Sequence, residues 1–217
     1  ADDRHRASRG GEGQGRLMAE ERAAKRTPVT PEQVFLSFAA AWQMLAGAPP
    51  TREVLHIIHA QSALETGHWK SLWNYNLGGS KKHGTCDWTH FTTTERFPHA
   101  TADKYLASSK PGAEVALVKE DGTHKTLRFH GKQSMNCFAS WEDLDSASRD
   151  HIALLFRRFP EAIERAKAGD VDGYVGALKK KGYFTASEDE YKKAVGSIAK
   201  RYTRELANVA LPTVVVL

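Results

Sequence analysis

Cysteine is scarce in this chain of 217 residues: it has two, Cys86 and Cys137. Two sulfurs allow at most one disulfide, so burial rather than crosslinking must hold the fold. Nothing in the sequence shows that the pair meets, and free thiols are the expectation. No set of four Cys or His ligands has zinc-finger spacing. Long apolar runs are also missing. No stretch of about 18 apolar residues occurs, which excludes a membrane-spanning helix. The closing run Val214-Val215-Val216-Leu217 is too short for one. Residues 1–27 hold no apolar core of a signal peptide. Internal repeats and nucleic-acid-binding motifs are absent.

What is present is ordinary in amount and basic in balance. A hydrophobic fraction of 41% and a charged fraction of 26% fit a soluble globular chain. The formal charge is +5 and the pI about 9.2. A basic surface suits a polyanion such as nucleic acid, anionic lipid or an acidic cell-wall polymer. The triplet Lys179-Lys180-Lys181 reads as a solvated helix end.

Helices dominate both ends of the chain. Thr30-Pro31-Glu32-Gln33 is a capping box with proline at the first helical position. Val34, Phe35, Phe38, Ala41, Trp42 and Leu45 follow at helical spacing, and Gly47 to Pro50 ends the run. Thr51 caps a second helix that runs through Val54-Leu55-His56-Ile57-Ile58-His59-Ala60 to Glu65. Further helices are expected from Ser140-Trp141-Glu142-Asp143 to Phe159, from Pro160 to Ala168, after Asp170, and after Ser187-Glu188-Asp189-Glu190. Between about 70 and 138, Gly, Thr, His and aromatic residues replace this pattern. His90 to Phe97 has strand composition. Val115–Val118 and Thr126–Phe129 flank Asp121-Gly122 as a hairpin. Residues 1–27 are expected to be flexible, notably Arg9 to Gly15, with a short helix over Leu17 to Lys25. On this reading a chain begun near Thr27 folds as well as the whole. The expected fold class is α+β, with a small β-rich lobe set between helical segments, residues 28–217 forming one domain and a cleft between the lobes.

Glu65 is the chemical focus. It stands in the last turn of a nearly all-apolar helix, with Gly67 as terminator. The negative end of the helix dipole and an apolar wall both disfavour its ionisation. A carboxyl kept neutral near pH 7 serves as a general acid. His56, His59 and His68 lie near it, but His-x-x-His is not the His-Glu-x-x-His zinc pattern. No metal and no cofactor are expected.

Several stretches together resemble the bacterial glucosaminidases of glycoside hydrolase family 73, which include flagellar-type peptidoglycan hydrolases, autolysins and phage enzymes. Ala60-Gln61-Ser62-Ala63-Leu64-Glu65-Thr66-Gly67 is similar to the family's catalytic helix end. Asn76-Leu77-Gly78-Gly79-Ser80-Lys81 resembles its Asn-Leu-Phe-Gly-Ile-Lys segment. Thr93-Thr94-Glu95 is similar to its threonine-rich strand with a second acidic residue. Cys137-Phe138-Ala139-Ser140-Trp141 resembles its entry into a helix. Lys181-Gly182-Tyr183-Phe184-Thr185 with Tyr191 resembles its Gly-Tyr turn and the tyrosine beyond. The likeness spans about residues 35–207. Gly78 departs from the family's phenylalanine, the span from Gly182 to Tyr191 is longer, and the Asp121-Gly122 hairpin is an addition.

The resemblance implies a lysozyme-like, mainly α-helical fold. It also implies cleavage of the peptidoglycan glycan backbone, most often at the N-acetylglucosaminyl bond, by an endo-β-N-acetylglucosaminidase. Glu65 is then the general acid and Glu95 the second carboxylate, with Asp87 its rival. Tyr183 is a candidate for stabilising the reacting sugar. Trp73, Tyr75, Asn76, Trp88 and Phe91 are candidate sugar contacts. The expected partner is the peptidoglycan strand, met at the bacterial cell wall, with no nucleic acid and no membrane span. A secretion-machine, phage or immunity-protein partner is left open. A muramidase or a lytic transglycosylase on the same fold is an alternative, and so is a non-catalytic peptidoglycan-binding module.

Overall fold

The helical body begins at the first expected cap. In the computed structural model, which describes residues 19–84, 86–108, 114–132 and 134–212, the Thr30 hydroxyl accepts from the Gln33 N–H. The Gln33 side chain accepts in return from the Thr30 N–H, so the capping box of α1 (Pro31–Ala46) is closed. Gly47, at φ +71°, ends α1 in the left-handed region that glycine enters at little cost. Thr51 caps α2 (Arg52–Glu65), in which Val54 to Ala63 are all buried. A helix buried on every face is the axis of its domain. The runs Arg9 to Gly15 and Val214 to Leu217, and Leu17, lie outside the described residues.

The β-rich lobe follows α2. It contains β1 (Asp87–His90), β2 (Thr93–Pro98), α3 (His99–Ala107), β3 (Glu114–Glu120), β4 (His124–His130) and β5 (Cys137–Ser140). β1 pairs antiparallel with β5, and the other three strands form an antiparallel sheet in the order β2-β4-β3. The expected strand over His90 to Phe97 is thus two strands in two sheets, parted at Phe91-Thr92. Helix α3 was not expected, although Ala102, Tyr105 and Leu106 have helical spacing. It covers Leu127 and Phe129, and these residues form a second small core.

The chain then returns to helices: α4 (Leu144–Arg158), α5 (Pro160–Lys167), α6 (Val171–Lys180) and α7 (Glu188–Glu205). Asp143, Asp170 and Ser187 cap α4, α6 and α7. The main core joins Phe35 and Phe38 of α1, Leu55 and Ile58 of α2, Ile152 and Leu155 of α4, Tyr174 of α6 and Tyr202 of α7. The architecture is α+β and mainly α-helical, with the β-rich lobe inserted between helical segments. No helix among the described residues is long and apolar enough to cross a membrane. Cys86 and Cys137 are free thiols.

Residues 19–25 are extended, not helical as expected. Their backbone finds partners on β1: Trp88 N–H donates to Glu20 O at 2.9 Å and Arg22 N–H to Trp88 O at 2.7 Å. Arg22 Nε donates to Asp87 at 2.5 Å and its Nη2 to Glu142 at 2.5 Å. Asn74 donates to Ala23 O at 3.0 Å and accepts from Lys25 N–H at 2.7 Å. Helix propensity lost to these tertiary bonds.

This strap bears on stability. A chain begun at residue 28 would leave the Asp87 carboxylate, only 10% exposed, without Arg22. Breaking one partnered ion and several backbone bonds is worth about 3 kcal/mol. For a chain this long that is a fall of roughly 6–12 °C in melting temperature. Calorimetry of the truncated protein checks it; an unchanged transition would show that the strap contributes nothing.

Candidate active site

Glu65 is the last residue of α2, and the turn after it is tightly fixed. Gly67, His68 and Trp69 all have positive φ, +57°, +56° and +59°. Two of them carry side chains, so the turn is strained and must be held. Thr66 does this, donating its hydroxyl to Ser62 O at 2.7 Å and accepting from Trp69 N–H at 3.1 Å. Ser62 in turn donates to Leu77 O at 2.7 Å, tying the turn to the next loop.

The Glu65 side chain reaches solvent on one side, yet protein crowds it enough to matter. Desolvation pushes its carboxyl above the usual range, and a hydrogen bond from the Tyr191 hydroxyl at 2.5 Å opposes the rise. Tyr191 is buried and stacks flat on Phe184, with ring centroids 3.8 Å apart. Burial and the Glu65 charge raise the hydroxyls of Tyr174, Tyr183 and Tyr191 alike. Tyr191 touches the carboxyl, and Tyr174 and Tyr183 lie near enough to feel its charge. Behind it, the Gln61 amide and the Tyr174 hydroxyl are buried without a well-formed hydrogen bond. The Gln61 amide lies close enough to Tyr183 to moderate that rise.

Tyr183 donates its hydroxyl to Gly78 O at 3.3 Å. It also packs edge-on against Phe159, at 5.3 Å between centroids. Gly78 lies tight against this tyrosine. A Cβ there would stand 2.8 Å from His151 Cε1 and 2.9 Å from the Tyr183 oxygen. The buried His151 ring, stacked on Phe38 at 5.3 Å, thus takes the space a side chain at 78 would need.

Glu95 lies in mid-β2, opposite Leu127 of β4. It is half-buried and alternates with the exposed Thr94 and Arg96. Its charge acts on Lys81, whose ammonium donates to Met135 O at 2.6 Å and lies 3.7 Å from the centre of the Phe138 ring. Asp87 is engaged elsewhere, held by Arg22 and by the Glu20 N–H at 3.0 Å. That leaves Glu95 the freer of the two carboxylates.

The five expected sugar contacts separate into four places. Trp73 and Phe91 come together at 5.5 Å, and Phe138 extends the row at 5.4 Å. The Arg26 guanidinium sits 5.0 Å from the Trp73 ring centre. Trp88 is apart from these, against the Lys82 ammonium at 4.1 Å. Tyr75 lines a separate cavity with Arg22, Lys25 and Trp141. The Asn76 amide donates to Ser80 O at 2.8 Å and to Ala139 O at 3.0 Å, and accepts from Ser80 N–H at 2.8 Å. Its hydrogen bonds hold the loop rather than face a ligand.

In the sequence Tyr191 stands out only as part of a motif, and Gln61, Tyr174 and Phe184 do not stand out as site residues. Gln61 stands one turn before Glu65 on α2, and that spacing was a usable signal. Nothing in the sequence ties Tyr174 to Glu65. His59 is packed among Phe35, Trp69 and Tyr202, and its Nε2 lies 2.8 Å from Pro31 O. A cavity of about 630 Å³ is lined by Arg52, His56, Val171 and Ala199. It opens at the other end of α2, about 14 Å along the helix axis from Glu65, and takes no part in this cluster.

A family model described as glucosaminidase, mannosyl-glycoprotein endo-beta-N-acetylglucosaminidase, matches residues 53–204. Among solved structures the chain is similar to the peptidoglycan hydrolase from Sphingomonas sp. A1. The identity is 21%, covering 84% of this chain and 99% of that one, with a TM-score of 0.40. It is also similar to the catalytic domain of the autolysin Auto from Listeria monocytogenes. There the identity is 15%, covering 82% of this chain and 87% of that one, with a TM-score of 0.43. No curated protein sequence matches it.

Proposed function

The chain belongs to the glucosaminidase family, and from that membership we propose that it hydrolyses the glycan backbone of bacterial peptidoglycan, with Glu65 as general acid. It is a glycoside hydrolase of the endo-β-N-acetylglucosaminidase type. In the proposed reading it acts outside the cytoplasm, at the cell wall, through a catalytic unit over residues 28–217 that carries the strap 19–27 on its surface. The observation that carries the reading is Glu65 itself: a helix-end carboxyl raised by desolvation, open to solvent on one side and gripped by Tyr191. Such a group holds a proton to deliver to the glycosidic oxygen.

Glu95 is proposed as the second carboxylate, which activates water or supports positive charge on the sugar. Tyr183 is proposed to face the reacting sugar, and Trp73 and Phe91 to form the wall against which the strand lies. Asn76 shapes the loop, whereas Tyr75 and Trp88 would contact only more distant sugars.

The deciding experiment is digestion of purified peptidoglycan beside a high-mannose glycoprotein, with mass analysis of the products. New reducing-end N-acetylglucosamine from peptidoglycan is expected. Reducing-end muramic acid, anhydro-sugars, or cleavage of the glycoprotein alone would each overturn the bond or substrate named here.

The Tyr191 bond gives a pH prediction. Its donation lowers the Glu65 pKa, so Tyr191→Phe should raise it further. An acid must be protonated to act, and activity falls as pH rises through its pKa. The alkaline limb of kcat against pH should therefore move upward in Tyr191→Phe, while maximal turnover drops as the carboxyl loses its anchor. A limb that stays in place or moves down would remove Glu65 as the titrating acid.

A further inference from the structure

A groove of about 330 Å³ opens beside Tyr183 and is lined by cations on both sides. One side is the loop that leaves Gly78-Gly79, with Lys81, Lys82 and His83. The other is the last turn of α4, with Arg157 and Arg158. No Asp or Glu lines it. Two acids bear on the first side: Asp150 lies 3.4 Å from His83 Nε2, and Glu95 acts on Lys81. Lys81 and Lys82 are already directed, one to Met135 O and the other over Trp88.

Arg157 and Arg158 are different. Both are exposed, and among the described residues neither pairs with a carboxylate. Only the Phe159 ring lies near one of them, 5.7 Å from the Arg158 guanidinium. Some cations elsewhere on the surface are paired, such as Arg96 with Asp121 and Arg201 with Glu205; what sets Arg157 and Arg158 apart is that they stand side by side in a groove. Neighbouring like charges in a walled groove focus the field outward and attract an anion. A guanidinium binds a carboxylate in a two-point fork.

We propose that this groove is an anion subsite that takes carboxylate groups of the peptide stems carried by the glycan strand, next to the bond being cut. The inference rests on the peptidoglycan reading above. It gives the enzyme a preference for strands that still bear acidic stems. The arginines also suit the negative end of α4, but that role would show in melting temperature and not in substrate choice.

The test compares three substrates at low salt: intact peptidoglycan, strands stripped of their stems by an amidase, and strands whose stem carboxylates are amidated. The wild-type protein should favour intact strands over both others by about tenfold in kcat/KM, mainly through KM, and the gap should shrink as salt rises. In Arg157→Gln/Arg158→Gln the ratio should fall toward one, and Arg157→Lys/Arg158→Lys should keep part of it. Equal wild-type cleavage of all three would overturn the subsite and leave the enzyme reading standing. Cleavage of none would overturn the peptidoglycan reading itself. A preference that follows wall-attached phosphate polymers, and not stem carboxylates, would also overturn the subsite. The amidated strands require no variant, so a misfolded mutant cannot rescue the idea.

Discussion

Glu65→Gln is expected to lower turnover on peptidoglycan by about 10³-fold, within the range general acid catalysis supplies. Glutamine keeps the size of the side chain and still accepts the Tyr191 hydroxyl, so binding should change little. What is lost is the proton the leaving oxygen needs. Stability should move the other way. The Glu65 pKa is raised in the folded protein, so the folded state holds its proton to higher pH than the unfolded chain does. The contribution is present below the unfolded pKa and is lost as pH rises through the folded one. Glutamine carries no such loss, so Glu65→Gln should melt at or above the parent at neutral pH and level with it in acid. Full turnover in a folded variant would end the assignment of Glu65.

Glu95→Gln should lower kcat by about 10²-fold with KM nearly unchanged. The task proposed for Glu95 arises as positive charge develops on the sugar, so its loss falls on the transition state and not on binding. Its setting allows this. It is half-buried in mid-strand, with Lys81 near enough to feel its charge. Lys81 also follows the Gly78-Gly79 loop that touches Tyr183, which links the two halves of the site by a short piece of chain. Activity equal to the parent would remove Glu95 and point to a single-acid reaction. A rise in KM alone would make it a binding group.

The helical frame was legible because its signals are local. Thr30, Thr51, Asp170 and Ser187 announce helix starts within four residues of sequence, and the structure uses each as a cap. Glu65 was legible for the same reason, as the end of a periodic run. The lobe was read less well. The strand expected over His90 to Phe97 broke in two because β1 and β2 answer to different partners, β5 and β4. The extended strap at 19–25 was hidden because its partners, Asp87, Trp88 and Glu142, lie far along the chain. Tyr174 was invisible as a neighbour of Glu65, since helix packing and not spacing brings it there. Gly78 was visible only as a departure from a motif. Its reason, the His151 ring, sits 73 positions away.

The strap has a mechanical side. Its first residues lengthen the β1–β5 sheet, while Lys25 and Thr27 are fastened to Asn74 and Tyr75 on the loop beyond α2. One short run of chain therefore stitches the lobe to the helical body. A seam of this kind limits how far the lobe can swing from the body, because a wider swing requires the stitch to peel from one side. A protease that cut between Arg22 and Lys25 would leave every candidate catalytic residue in place and still slacken the joint. How far the lobe can move is thus governed by a segment that contacts neither Glu65 nor Glu95.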